Sequence, residues 1–198
     1  MGKGIVYMKS FITFIKYCAG LLFFKIKGWS CDLLPKEVGN KFVLIGFPHN
    51  TNMDAPFGIA FSFYNKTITN PMLKKEWFFW PMTILFNAIG AVKIDRSSSQ
   101  NIVKQIATEF LNRDHFIPVI FPEGSRREVQ RIKTGFWNIA KQANVSVVML
   151  FKNEAKKRLM ILGWMDLTDS MKDDLLTIQT AYQKEGYKIP IKANLKEL

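Results

Sequence analysis

The stretch KFVLIGFPHNTNMD, residues 41–54, places a short apolar run directly in front of a polar turn. The run itself, residues 41–47, has the length and hydrophobicity of a buried strand. The residues that follow Asp54, as far as Tyr64, predict a helix that begins where the turn ends. A strand, a turn and a helix in this order make up the repeating unit of α/β domains.

The same alternation continues along the chain, which at 198 residues has the length of one domain. Residues 67–74 are ambiguous and fit a short strand that Pro71 would break, while residues 77–89 are helical in part. Clearer strands are predicted at 91–94, 116–121, 145–151 and 158–163, and helices from serines 97–99 to 111, at 133–142 and at 170–183. We therefore predict an α/β domain, residues 31–198, with a mixed, largely parallel sheet flanked by helices.

Residues 1–30 form an N-terminal segment of different character. Its longest uncharged run, residues 17–24, is too short for a spanning helix, which needs about 20 apolar residues. On a helical wheel the polar or small positions share one narrow stripe, formed by Lys9, Thr13, Lys16, Gly20 and Lys27. This pattern predicts an amphipathic helix in a membrane interface, with lysines among the headgroups. The alternative is a helix packed on the domain core with one wet edge.

The net charge of +12 indicates an anionic partner, which leaves nucleic acid, an acidic membrane surface or a phosphate-bearing substrate. We expect no nucleic-acid partner, because the basic residues are dispersed and the aromatic residues lie in apolar runs. The two cysteines, Cys18 and Cys31, have neither a disulfide nor a zinc spacing, and we expect no metal site.

His49 and Asp54 lie in the turn after the first strand, separated by four residues. A carboxylate bonded to one imidazole nitrogen fixes the tautomer and leaves the other nitrogen as a base. Such a pair can activate a hydroxyl group that the substrate supplies. Taken alone, the spacing is also common in turns where Asp54 simply caps the next helix.

Two further motifs follow apolar strands. Residues 121–126, FPEGSR, combine a glycine turn with Arg126, whose forked donor suits phosphate. Residues 90–96, GAVKIDR, place Arg96 at a strand end next to a predicted helix start, where an anion is well placed. Each motif is weak alone, but in open α/β sheets ligands bind at the carboxyl ends of the strands.

With these blocks in this order, residues 40–152 resemble the glycerolipid (lysophospholipid) acyltransferase family, which includes the 1-acylglycerol-3-phosphate acyltransferases. The family's fourth block, an apolar strand with a proline, corresponds to residues 145–148. Ser146 stands where that proline is usual, and Ser125 replaces the commoner threonine of the third block. Neither departure touches a catalytic group.

The resemblance implies that His49 is the general base and that Asp54 orients it. The acceptor hydroxyl would attack the thioester directly, without an acyl-enzyme. Substrate binding would fall to residues that hold the glycerol phosphate, namely Arg96, Glu123, Gly124, Ser125 and Arg126. No cofactor is implied beyond the donor substrate, which is acyl-CoA or acyl-carrier protein.

The expected reaction is acyl transfer to 1-acylglycerol-3-phosphate (lysophosphatidic acid) at the cytoplasmic face of a membrane, by a peripheral or monotopic protein. The same chemistry on another lysolipid or on glycerol-3-phosphate remains open, as does a non-catalytic membrane-binding protein. The aromatic run from Trp77 to Trp80 fits either the core or a membrane interface, and we favour the interface. The basic run of Lys152, Lys156, Lys157 and Arg158 is typical of a solvated hairpin.

Overall fold

A seven-stranded sheet forms the centre of this computed structural model, which describes residues 2–95, 97–124 and 131–189. The strands are β1 Ser30–Cys31, β2 Val43–Phe47, β3 Asn70–Lys74, β4 Val92–Ile94, β5 Pro118–Ile120, β6 Val147–Asn153 and β7 Arg158–Met165. The helices are α1 Gly2–Lys27, α2 Asp54–Tyr64, α3 Met82–Ala88, α4 Ser99–Asn112, α5 Gly135–Ala143 and α6 Met171–Lys184. Short 3₁₀ helices lie at Lys36–Val38 and Lys75–Trp77.

The sheet is mixed and largely parallel, as the sequence predicts. Its strand order is β1-β7-β6-β2-β5-β3-β4. The hairpin of β6 and β7 is antiparallel, and the other neighbouring pairs run parallel. The carboxyl ends of β2, β3, β4, β5 and β6 therefore meet at one edge of the sheet, which is where ligands bind in open α/β folds.

Helices cover both faces of the sheet, because successive side chains of a strand point to opposite sides. In β2, Val43, Ile45 and Phe47 belong to one buried cluster and Leu44 to the other. The first cluster is closed by α4, α5 and α6, through residues that include Ile106, Phe136 and Ile178. The second is closed by α1 and α2, through residues that include Phe24, Phe57 and Phe61.

Pro71 does not break the strand that contains it. Asn70 and Pro71 pair with β5, and residues 72–74 pair with β4 on the other side. Pro71 therefore lies where pairing passes from one neighbour to the other, and its missing amide interrupts neither ladder. The short strand β1 was not predicted; its Ser30 pairs with Arg158 of β7.

Helix α1 packs against α2 along its C-terminal half. A Cβ atom at Gly20 would lie 2.7 Å from the Tyr64 nitrogen and 2.8 Å from the Ala60 carbonyl oxygen, so only glycine allows this approach. Phe24 is buried in the core beside it. The predicted polar stripe is thus not solvated along its length: Gly20 faces α2, and the Lys16 ammonium lies over the Phe63 ring, 5.6 Å from its centroid.

The opposite side of α1 is exposed and apolar. Among the α1 side chains that the structure describes, the large exposed hydrophobic ones on this side are Met8, Phe11, Ile12, Phe14, Ile15, Leu21, Leu22 and Ile26. One side of α1 therefore packs on the domain, as one of the two sequence interpretations expects, and the other side presents an exposed apolar face; the membrane-interface interpretation stays a prediction. Within residues 2–95, 97–124 and 131–189, no helix has the length and hydropathy to cross a bilayer.

Candidate active site

His49 and Asp54 are brought together by the turn between β2 and α2. His49 follows the carboxyl end of β2, and Asp54 begins α2, where the helix N-terminus favours a carboxylate. The imidazole Nδ1 lies 2.9 Å from Asp54 Oδ2. The predicted pairing of these two side chains is therefore present, and Asp54 is buried, with 7% of its surface exposed.

Asp54 receives donors on both carboxylate oxygens. Oδ2 accepts from His49 and from the Thr51 amide, and Oδ1 accepts from the Thr51 hydroxyl at 3.1 Å and from the Lys152 ammonium at 2.6 Å. Burial alone would raise the pKa of the Asp54 carboxyl, but the bonds from His49 and Lys152 and the charge of Lys152 outweigh it and hold the pKa well below its usual range. Asp54 is consequently ionised at neutral pH.

An ionised carboxylate can only accept, so Nδ1 of His49 carries the proton and Nε2 is the basic nitrogen. Nε2 makes no hydrogen bond to any residue that the structure describes. The ring stacks on Phe121, with centroids 4.2 Å apart and planes inclined by 20°. This stacking and the bond to Asp54 fix the imidazole plane, with Nε2 directed away from the carboxylate.

Glu123 lies against His49 at the end of β5. Its Oε2 accepts the His49 backbone amide at 2.6 Å, and its Oε1 accepts the Tyr187 hydroxyl at 2.6 Å. Burial, and then the bond to Glu123, raise the pKa of Tyr187 above its usual range, so the phenol keeps its proton. The Glu123 carboxylate therefore links the turn after β5 to the turn that carries His49, a contact that the sequence did not predict.

Gly124 completes the described part of the turn with a φ of +67°, a conformation that side-chain-bearing residues rarely adopt. The Lys133 side chain crosses this glycine, with its Cε 2.8 Å from where a Cβ atom would lie. The other predicted phosphate-binding residues, Arg96, Ser125 and Arg126, lie outside the described residues.

The turn before Arg96 is held by Asp95. Its amide and carbonyl both bond to the Gln105 side chain, and its carboxylate accepts the Lys75 ammonium at 2.6 Å. The bond from Lys75, and then that from the Ser97 amide, lower the pKa of the Asp95 carboxyl. The end of β4 is thereby tied to α4 and to Lys75, at the same sheet edge as His49.

A model of the Acyltransferase family matches residues 33–150, which is more than half of the chain. The chain belongs to this acyltransferase family. The acyltransferase fold also resembles the crystal structure of the 1-acyl-sn-glycerophosphate (LPA) acyltransferase, PlsC, from Thermotoga maritima, with a TM-score of 0.62 and 14% sequence identity. The match covers 93% of this chain and 82% of that one. The comparison with curated proteins returns no match.

Lys152 is a residue of this acyltransferase's site that the sequence did not predict. The basic run that contains it was interpreted as a solvated hairpin, yet Lys152 lies in β6 and is 7% exposed. Its ammonium contacts Asn50 Oδ1 at 3.1 Å and Thr51 Oγ1 at 3.3 Å in addition to Asp54. Strand β6 is central and covered on both faces, so a lysine within it has to point into the protein.

An apolar cavity of about 40 Å³ lies beside Asp54 and Lys152. Asp54 and Lys152 form its polar end, and the rest of its wall is almost wholly apolar. The wall includes Leu44, Phe57, Phe61, Val119, Phe121, Leu150 and Leu159. Apolar cover of this kind strengthens the hydrogen bonds that the buried Asp54 carboxylate accepts.

Proposed function

We propose that this acyltransferase moves a fatty-acyl group from a thioester donor to the free hydroxyl of 1-acylglycerol-3-phosphate. The observation that carries the proposal is the bond of His49 Nδ1 to the buried, ionised Asp54, which leaves Nε2 as the base. The donor is acyl-CoA or acyl-carrier protein, and the reaction needs no further cofactor.

The reaction then runs in one displacement. The acceptor hydroxyl gives its proton to Nε2 of His49 as its oxygen attacks the thioester carbonyl. The tetrahedral intermediate expels the thiolate, which recovers the proton from the imidazolium, so that an ester and a free thiol leave a neutral histidine. Asp54 stabilises the imidazolium while it exists, and no acyl-enzyme forms.

The acceptor phosphate is assigned to the turns after β4 and β5, where Arg96, Gly124, Ser125 and Arg126 provide a guanidinium pair and backbone amides. Glu123 takes a different part in the same turn, because its carboxylate would repel a phosphate and already accepts from His49. The resemblance of the fold to an LPA acyltransferase and the net charge of +12 support an anionic acceptor.

We assign the exposed apolar face of α1 to a membrane surface, with an anionic headgroup layer as the partner. The segment between β3 and α3 supports this, because Trp77 is 51%, Phe79 59% and Trp80 82% exposed. Aromatic side chains flanked by lysines such as Lys74 are favoured in the headgroup region. The protein would then act as a peripheral or monotopic enzyme at the cytoplasmic face, where acyl thioesters and the lysolipid meet.

The test is transfer of labelled acyl from acyl-CoA to lysophosphatidic acid on mixed micelles. The chain has two histidines, which gives a matched pair of variants. His49→Ala should abolish turnover and keep the fold. The ring of His115 bonds to Thr67 Oγ1 away from His49 and Asp54, so His115→Ala should keep most of the activity. Substantial activity in His49→Ala would remove His49 as the base.

The choice of acceptor is tested in the same assay by comparing lysophosphatidic acid with glycerol-3-phosphate and with lysolipids that lack a terminal phosphate. Arg96→Ala should selectively weaken the binding of the phosphate-bearing acceptor. An unchanged apparent affinity for that acceptor would exclude Arg96 from the site. Absence of turnover with every acceptor, and with both acyl-CoA and acyl-carrier protein, together with intact vesicle binding, would favour a non-catalytic membrane-binding protein instead.

A further inference from the structure

Lys152 approaches the dyad from the side opposite to His49. Its ammonium lies 2.6 Å from Asp54 Oδ1, whereas the imidazole bonds to Oδ2. The lysine is 7% and the Asp54 side chain 4% exposed, so this ion pair is shielded from solvent. Glu154 also lies 3.2 Å from the ammonium, but it is 56% exposed and therefore well solvated.

A buried ion pair of this kind is weak evidence of a stabilising role. Removing two charges from water is costly, and apolar side chains of similar volume often stabilise a core as well or better. Leu150, two residues before Lys152, lines the same cavity, so an apolar side chain would suit this position. The position of the ammonium on the dyad's own carboxylate therefore points to a role in the chemistry.

We propose that Lys152 is a positioning residue, which fixes Asp54 against His49 and keeps the imidazole in its neutral, proton-accepting form. The inference rests on the proposed function, since it concerns the base of that reaction. Lys152 acts through Asp54 and is given no contact with substrate. Its bonds to Asn50 and Thr51 also hold the turn that carries His49.

The direction of the effect follows from the charges. With Lys152 present, the carboxylate and the ammonium sum to zero, and a proton on His49 leaves the group with one positive charge. Without the ammonium, the same proton would neutralise an otherwise unpaired carboxylate, which is more favourable. Among the described residues, the charged groups that face these three are Glu154 beside Lys152 and Glu123 at the His49 amide. Removal of Lys152 should therefore raise the proton affinity of the dyad.

The test is a titration of ¹⁵N-labelled histidine followed by NMR in detergent micelles, for wild type and Lys152→Met. Two histidines give two sets of signals, and His115→Ala assigns them. We expect the His49 midpoint to rise by about one pH unit in Lys152→Met, as expected for loss of a charge a few ångströms away. Lys141→Met removes an ammonium that pairs with Asp169 and should leave the midpoint unchanged.

Two further variants keep the test decisive if Lys152→Met folds poorly. Lys152→Arg retains the charge and should retain the wild-type midpoint, while Lys152→Gln should shift it upward as methionine does. The acidic limb of the kcat profile should move in the same direction. An unshifted His49 midpoint in folded Lys152→Met or Lys152→Gln would overturn the proposal, whereas a shifted midpoint without turnover in any variant would contradict only the proposed function.

Discussion

Glu123 offers a graded test of how the site is assembled. Its carboxylate accepts the His49 backbone amide and the Tyr187 hydroxyl, each at 2.6 Å. Replacement by alanine removes both acceptors and leaves the His49 amide without its partner. Replacement by glutamine keeps the shape, because the amide oxygen can accept from His49 while its NH₂ donates to the Tyr187 oxygen. Tyr187→Phe removes only one of the two bonds.

The magnitudes follow from the charge of the acceptor. A hydrogen bond to a charged group contributes about 1.5–3 kcal/mol, and an unpaired buried donor costs a similar amount. Glu123→Ala should therefore lower the free energy of unfolding by about 2–4 kcal/mol. Because the lost contact is on the backbone of the base, we expect kcat to fall by about 10- to 100-fold, at 1.4 kcal/mol for each factor of ten. In Glu123→Gln the kcat should fall by less than about tenfold, because this variant exchanges charged hydrogen bonds for neutral ones.

The assay is steady-state acyl transfer with the acceptor varied, so that kcat and the apparent KM separate. A positioning role lowers kcat and leaves the acceptor KM within about twofold, because Glu123 does not hold the acceptor. The kcat of Tyr187→Phe should lie between those of wild type and Glu123→Ala. A normal kcat with a strongly raised acceptor KM in Glu123→Ala would refute this reasoning. Glu123 would then be assigned to binding of the acceptor, as the sequence analysis predicted.

Two further outcomes follow from burial and exposure. Asp54→Asn removes the partner of buried Lys152 and should lower the free energy of unfolding by about 3–5 kcal/mol in urea titrations. This difference in unfolding free energy between wild type and Asp54→Asn should persist from neutral pH to about pH 4 and shrink below it, because the pKa of Asp54 is lower in the folded state than its unfolded value of about 3.9. Growth of the difference on acidification would contradict the ionised state assigned to Asp54. Trp80→Ala should weaken binding to anionic vesicles about fivefold or more without changing Tm, while the equally exposed Leu111→Ala serves as control, and equal effects of the two would argue against an aromatic anchor.

The sequence predicted the contact between His49 and Asp54 because the motif and the strand that precedes it are contiguous. His49 and Asp54 belong to one turn, and the apolar run before them could only be a buried strand. Glu123 was predicted to lie at the same edge because strands joined by helices run parallel, which places their carboxyl ends together. These two predictions needed only the local sequence of the turn and the rule that strands joined by helices run parallel.

Lys152 could not be found in this way, because its meaning depends on a contact across 98 residues of sequence. A basic run after an apolar strand is usually solvated, and the strand was expected to end at Phe151. It continues to Asn153, which places Lys152 in a covered position of a central strand. In the structure β2 and β6 are in register, with Phe47 opposite Phe151, so the residue after Phe151 lies beside the turn after β2.

The contact made by the stripe on α1 could not be predicted for a related reason. Small and polar residues on a helix mark a solvated side or a close helix contact, and only the structure of the partner separates the two readings. Gly20 belongs to the second kind, since it admits the backbone of α2 to within contact distance.

This contact has a mechanistic consequence. Helix α2 starts at Asp54 and ends at Tyr64, a length of about 16 Å at 1.5 Å per residue. Its last turn packs against Gly20 and Tyr17 of α1. Its first residue, Asp54, bonds to His49, the base of the proposed reaction. If the apolar face of α1 rests on lipid as we propose, one rigid two-helix unit sets the distance between the membrane surface and His49. A bulky residue at Gly20 would then change that distance as well as the packing, and would impair transfer to a micelle-bound acceptor more than to a water-soluble analogue.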